Sequence, residues 1–98
     1  MVIERVELSV VSGREADFEA AMQRGVALLA AAAGCLSATL ARGVERPCCY
    51  LLMLKWRSID DHTSFTKTEG FARFRELAAP FYAARPVMEH FQPVIGAD

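Results

Sequence analysis

Apolar and polar residues alternate from the first positions of the chain. Glu4, Val6, Leu8 and Val10 fall on one side and Ile3, Arg5, Glu7 and Ser9 on the other, so Val2 to Val11 reads as a strand with one strongly apolar face. Val11-Ser12-Gly13 is a turn, and Ser12 with Glu15 three residues on has the form of a capping box. The period then lengthens: Phe18, Met22, Val26 and Leu29 make a helical stripe, with Arg14, Asp17 and Arg24 off it and Gly34 as the expected stop. Gly25 inside that helix is a liability of roughly 1 kcal/mol against alanine unless close packing uses the missing side chain.

Cys35 to Arg42 predicts a second strand, with Leu36, Ala38 and Leu40 on one face and Ser37, Thr39 and Ala41 on the other. The charged turn GVERPC, Gly43 to Cys48, suits a hairpin. The third strand, Cys49 to Arg57, is bulky and apolar on both faces, Tyr50, Leu52, Leu54 and Trp56 against Cys49, Leu51, Met53 and Lys55, which predicts a central position. Ser58 with Asp60 and Asp61 suits a helix start, and Ile59, His62, Phe65 and Thr66 share a face. Gly70 interrupts, Phe71, Phe74, Leu77 and Ala78 resume the period, and Pro80 opens one more turn, Phe81 to Ala84. Val87 to Val94 closes the chain as a proline-bracketed edge strand, with His90 on the face opposite Val87 and Phe91.

The order β-α-β-β-α-β is the ferredoxin-like α+β arrangement: a four-stranded antiparallel sheet with the helices on one face, here as a single domain over residues 1–98. Helices on one side leave one apolar face of the third strand bare. Exposing Leu51 and Met53, or Leu52 and Leu54, forfeits on the order of 3–6 kcal/mol, so a second copy covering the open sheet face is expected, as a two-fold homodimer.

Composition narrows the partners. A net charge of −1 offers no electrostatic footprint for nucleic acid. Charges at Glu4, Arg5 and Glu7 interrupt any signal peptide, and the apolar run Val26 to Ala33 is too short to cross a membrane. The three cysteines Cys35, Cys48 and Cys49 form no metal-binding spacing and no favourable disulfide, so a reduced cytoplasmic protein is expected.

The strand ending LLMLKWRSIDDH, then FTKTEGFARF and the closing PVMEHFQPV resemble the antibiotic biosynthesis monooxygenase domain family over nearly the whole chain. The resemblance implies a dimeric α/β-barrel and, in part of the family, cofactor-independent oxygenation of quinols and polycyclic phenols, with dioxygen as co-substrate. On this reading Trp56 and His62 are the catalytic candidates at a helix–sheet pocket, and Tyr50, Phe65, Phe74, Tyr82 and His90 are candidate substrate-binding residues, with no cofactor and no metal. His62 near a helix N-terminus favours neutral imidazole able to take a phenolic proton. Leu52 and Leu54 stand where the oxygenases of this family carry a strand asparagine. The haem-degrading branch is disfavoured, because Phe65 takes the place of its tryptophan, Arg75 the place of its iron ligand, and the chain has no asparagine. The alternatives are a non-catalytic dimeric small-molecule-binding or stress-related domain, and an isomerase-type enzyme, on the same scaffold. A cavity above roughly 300 Å³ favours the readings that need a ligand.

Overall fold

The computed structural model describes residues 1–97. Its elements are β1 (Val2–Ser9), α1 (Glu15–Ala30), β2 (Cys35–Arg42), β3 (Cys49–Trp56), α2 (Ile59–Phe65), α3 (Glu69–Ala78), a single 3-10 turn (Ala79–Phe81) and β4 (Val87–Phe91). The strands form one antiparallel sheet in the order β2-β3-β1-β4, which is the ferredoxin-like α+β arrangement with β3 and β1 central. Among the described residues no helix is long and apolar enough to cross a membrane.

The alternation in β1 and β3 sets the core. Val6, Leu8 and Val10 from β1 and its extension, with Tyr50, Leu52, Leu54 and Trp56 from β3, are buried beneath Phe18, Met22 and Leu29 of α1 and Phe74 and Ala78 of α3. The missing side chain of Gly25 is used: a Cβ there would lie 2.6 Å from the Met22 methyl and 3.5 Å from the Phe74 ring, so α1 and α3 sit close at that point.

Several boundaries differ from the sequence pattern, each for a local reason. β1 ends at Ser9, and Val10 continues only as an isolated bridge to Tyr82. Ser12 does not cap α1; the cap is Arg14 without a side-chain bond, and Glu15 instead accepts from the Gly13 backbone N–H at 2.6 Å. α1 ends at Ala30, so Gly34, at φ +84°, serves the turn into β2 rather than the helix stop. A bulge between Cys35 and Ser37 swings Leu36 out to 58% exposure, while Ala38 and Leu40 keep the inward register. The helix break falls before Gly70, where Thr68 caps α3 by accepting from the Phe71 N–H. The turn containing Pro80 is Ala79–Phe81, β3 stops at Trp56, and β4 stops at Phe91, with residues 92–97 outside any strand.

The other face of the sheet carries Ile3, Arg5 and Glu7 of β1, Leu51 and Met53 of β3, and Val87, Glu89 and Phe91 of β4. Met53, Val87 and Phe91 are 38%, 55% and 45% exposed, so the apolar outer face expected of β3 extends across three strands.

Candidate active site

Trp56, the last residue of β3, is fully buried and points under α2. Ser58 starts α2 by accepting the Asp61 N–H at 3.2 Å, and Asp61 in turn is held by Arg57 at 3.0 Å. That cap places His62 over the indole, the rings stacked at 5.2 Å and 19°, with Phe65 on the same indole at 5.7 Å. His62 is buried, not half-exposed as a residue so close to a helix start would ordinarily be.

The neighbouring strands supply what the indole and imidazole bond to. Glu4 lies on the inner face of β1, only 8% exposed, and its Oε1 accepts from Trp56 Nε1–H at 2.9 Å. His62 Nε2 approaches the same oxygen at 3.3 Å. His90 is the register partner of Glu4 on β4, and its Nε2 lies 2.7 Å from His62 Nδ1. Burial lowers the His62 pKa below its ordinary value, with the Glu4 charge opposing and the His90 charge adding to that shift. The neutral ring is thus favoured, with Nε2 facing the Glu4 carboxylate and Nδ1 facing His90 Nε2.

This polar cluster forms one end of a cavity of about 340 Å³ between sheet and helices. Its walls are mostly apolar, including Leu29, Leu52, Leu54, Phe65, Phe71 and Phe74. Arg75 and Tyr82 also border it, and burial pushes the Tyr82 hydroxyl up to about 12. Among the described residues no group of three or more His, Cys, Asp or Glu side chains is arranged to hold a metal ion.

The model of the family "Antibiotic biosynthesis monooxygenase" matches residues 1–77. The chain belongs to the antibiotic biosynthesis monooxygenase family. It is 30% identical over 95 residues to the Bacillus subtilis (strain 168) protein YczJ, itself uncharacterized, covering 96% of this chain and 100% of YczJ. Among solved structures, a candidate antibiotic biosynthesis monooxygenase from Bordetella bronchiseptica superposes with a TM-score of 0.90 at 34% identity, covering 96% of this chain and 97% of that one. A second, from Nitrosomonas europaea, superposes at 0.85 with 15% identity, over 97% and 100% of the two chains, a likeness of fold.

In this family member the structure brings together Trp56, His62, Phe65, Phe74 and Tyr82 around one cavity, and adds His90 behind His62. Tyr50 lies apart from them. It is buried against Phe18 at 4.9 Å, and its hydroxyl donates to Glu19 at 2.6 Å on the far side of the core. The residue that pattern reading passed over is Glu4. Its signal was present: it is the one acid in phase with Val6, Leu8 and Val10 on the inward face of β1. The family match ends before Tyr82 and His90, so their placement here rests on the fold alone.

Proposed function

We propose that this family member is a monooxygenase that takes a small reduced aromatic, a hydroquinone or polyphenol, into the cavity and oxygenates it with dioxygen, using no metal or organic cofactor. The observation that carries this reading is the cavity itself. It exceeds the roughly 300 Å³ that a drug-sized ring system needs, its walls are apolar and aromatic, and one end holds the buried Glu4, Trp56 and His62 cluster. Flat rings suit such walls, and a hydroxyl suits that end.

In the reaction, the polar end removes a proton from a ring hydroxyl. The electron-rich anion passes an electron to dioxygen, and the two radicals recombine with formation of a carbon–oxygen bond. The hydrogen on the oxygenated ring carbon then leaves as a proton while its electron pair forms a carbonyl and breaks the oxygen–oxygen bond. One oxygen stays on the ring, and the other departs as water, taking up this proton and the one removed from the hydroxyl. A hydroquinone becoming a hydroxyquinone supplies all four electrons, so no external reductant enters the balance.

An oxygen electrode and a panel of hydroquinones and polyphenols test this. Enzyme-dependent oxygen uptake with at least one of them, reduced in His62→Ala, is the expected result. A panel with no uptake above the protein-free rate overturns it.

The bare sheet face supports a homodimer. Ile3, Leu51, Met53, Val87 and Phe91 form an apolar patch that a second copy would cover, and beyond β4 Val94 and Ile95 are 86% and 95% exposed. Sedimentation equilibrium should give twice 10.8 kDa, and a monomer mass at micromolar concentration excludes the dimer.

A further inference from the structure

The proton acceptor in the cavity need not be the histidine. Both ring nitrogens of His62 are engaged within the protein, Nδ1 with His90 at 2.7 Å and Nε2 with Glu4 at 3.3 Å. The other titratable side chains bordering the cavity are Glu4, Arg75 and Tyr82. Arginine stays charged and has no lone pair to offer. Tyr82, pushed up to about 12 by burial, holds its own proton at neutral pH.

Glu4 is different. The Trp56 and His62 contacts both fall on Oε1, and Oε2 takes neither. A carboxylate with one oxygen accepting the Trp56 N–H and lying 3.3 Å from the His62 ring nitrogen has its second oxygen set in direction, and Glu4 borders the cavity while remaining nine-tenths buried. His90 completes the arrangement from the opposite strand. A His90 ring with its hydrogen on Nε2 donates it to His62 Nδ1, and the neutral His62 ring then carries its own hydrogen on Nε2, toward Glu4.

We infer that Glu4 Oε2 is the base that takes the hydroxyl proton of the aromatic substrate, and that His62 and His90 are positioning residues that hold this carboxylate. The inference rests on the oxygenase reading and deepens it. In the step, the substrate O–H bond breaks, an O–H bond forms on Oε2, and the electron pair stays on the substrate oxygen. Glu4 returns that proton to the outer oxygen of the ring-bound peroxide, so the carboxylate is regenerated each turn. The hydrogen on the oxygenated ring carbon, lost as a proton while its electron pair forms the C=O and breaks the O–O bond, supplies the second proton of the departing water. Trp56 keeps Oε1 occupied throughout.

Steady-state oxygen uptake with the best substrate of the panel tests the assignment in wild type, Glu4→Gln and His62→Gln. In Glu4→Gln the amide oxygen still accepts from Trp56 Nε1–H, so the variant retains the fold, which circular dichroism checks, but it lacks the basic oxygen. Expected are a fall in kcat of about 100-fold or more for Glu4→Gln with KM nearly unchanged, and a fall within about tenfold for His62→Gln, whose amide N–H can replace Nε2–H. Glu4→Gln keeping more than a tenth of wild-type kcat overturns the assignment while leaving the oxygenase reading intact. Absence of uptake in wild type overturns both.

A turnover-independent readout addresses the positioning role. Nitrogen NMR of the imidazole rings near neutral pH should show His62 as the Nε2–H tautomer, with that preference weakened in His90→Phe. A His62 ring protonated on Nδ1 would leave Nε2 as the free base and defeat the assignment.

Discussion

The two ends of the helix–sheet interface carry the same motif and put it to different use. At one end Trp56 donates to Glu4; at the other Tyr50 donates to Glu19. Both aromatics come from the inward face of β3, and both are buried. The carboxylates differ. Glu19 sits on α1 with its side chain 43% exposed and is paired with Arg42 at 3.0 Å, so its charge is met by a cation and by water. Glu4 sits on a central strand, nearly sealed, with an indole N–H and an imidazole as its partners. A solvated, ion-paired carboxylate ties a helix to a strand. A buried one beside a cavity is placed for chemistry with what enters it, which is why we propose the reaction at the Trp56 end.

The widest test of this contrast is Trp56→Ala. Losing a fully buried indole that stacks on His62 and Phe65 should cost about 3–5 kcal/mol in urea denaturation. A loss under about 1 kcal/mol would mean the cavity end is not part of the core. Trp56→Phe is subtler: it keeps most of the bulk and removes the N–H, leaving Glu4 Oε1 to His62. About 1–3 kcal/mol is expected, the range for a buried charged acceptor deprived of a donor.

Acid titration distinguishes the ends next. The His62 pKa in the folded chain is depressed below the ordinary value of 6.5, chiefly by burial. As pH falls through about 6.5 the unfolded chain takes up the proton first. The stability that neutral His62 contributes is therefore complete above that value and is lost as pH falls toward and through the folded one. Thermal melts between neutral pH and about pH 5 should show a steeper loss in wild type than in His62→Gln. Parallel curves would show that His62 is not held neutral. The Tyr50 hydroxyl, pushed up to about 12 by burial and by Glu19, contributes nothing in that window.

Sequence pattern made the strands, the central place of β3 and the bare outer face legible, because alternation in β1 and β3 is strict and each strand must bury one side. It also placed Trp56 and His62 near each other, since Ser58 fixes where α2 begins. Glu4 was hidden by its neighbours: in phase with Val6, Leu8 and Val10 it reads as a flaw in an apolar face, and only the antiparallel register sets it beside His90 and under the indole. Tyr50 misled for the mirrored reason. It shares a strand face with Trp56, but six residues of extended chain separate them by about 20 Å, enough to put them at opposite ends of the core. Side-chain parity gives the face of a sheet, and position along the strand gives the site.

The smallest expected effect sharpens the comparison most. Tyr50→Phe removes one hydroxyl and leaves Glu19 its Arg42 partner and access to water, so nothing is stranded in the core. The cost should be about 0.5–1 kcal/mol, and oxygen uptake should match wild type, because Tyr50 does not border the cavity end that holds Glu4. Set beside Trp56→Phe, which also deletes a single donor to a glutamate, the pair isolates burial of the acceptor as the variable. Equal losses of stability from the two variants would show that Glu4 is as well solvated as Glu19, and the case for a reactive carboxylate at the cavity end would fall with that result.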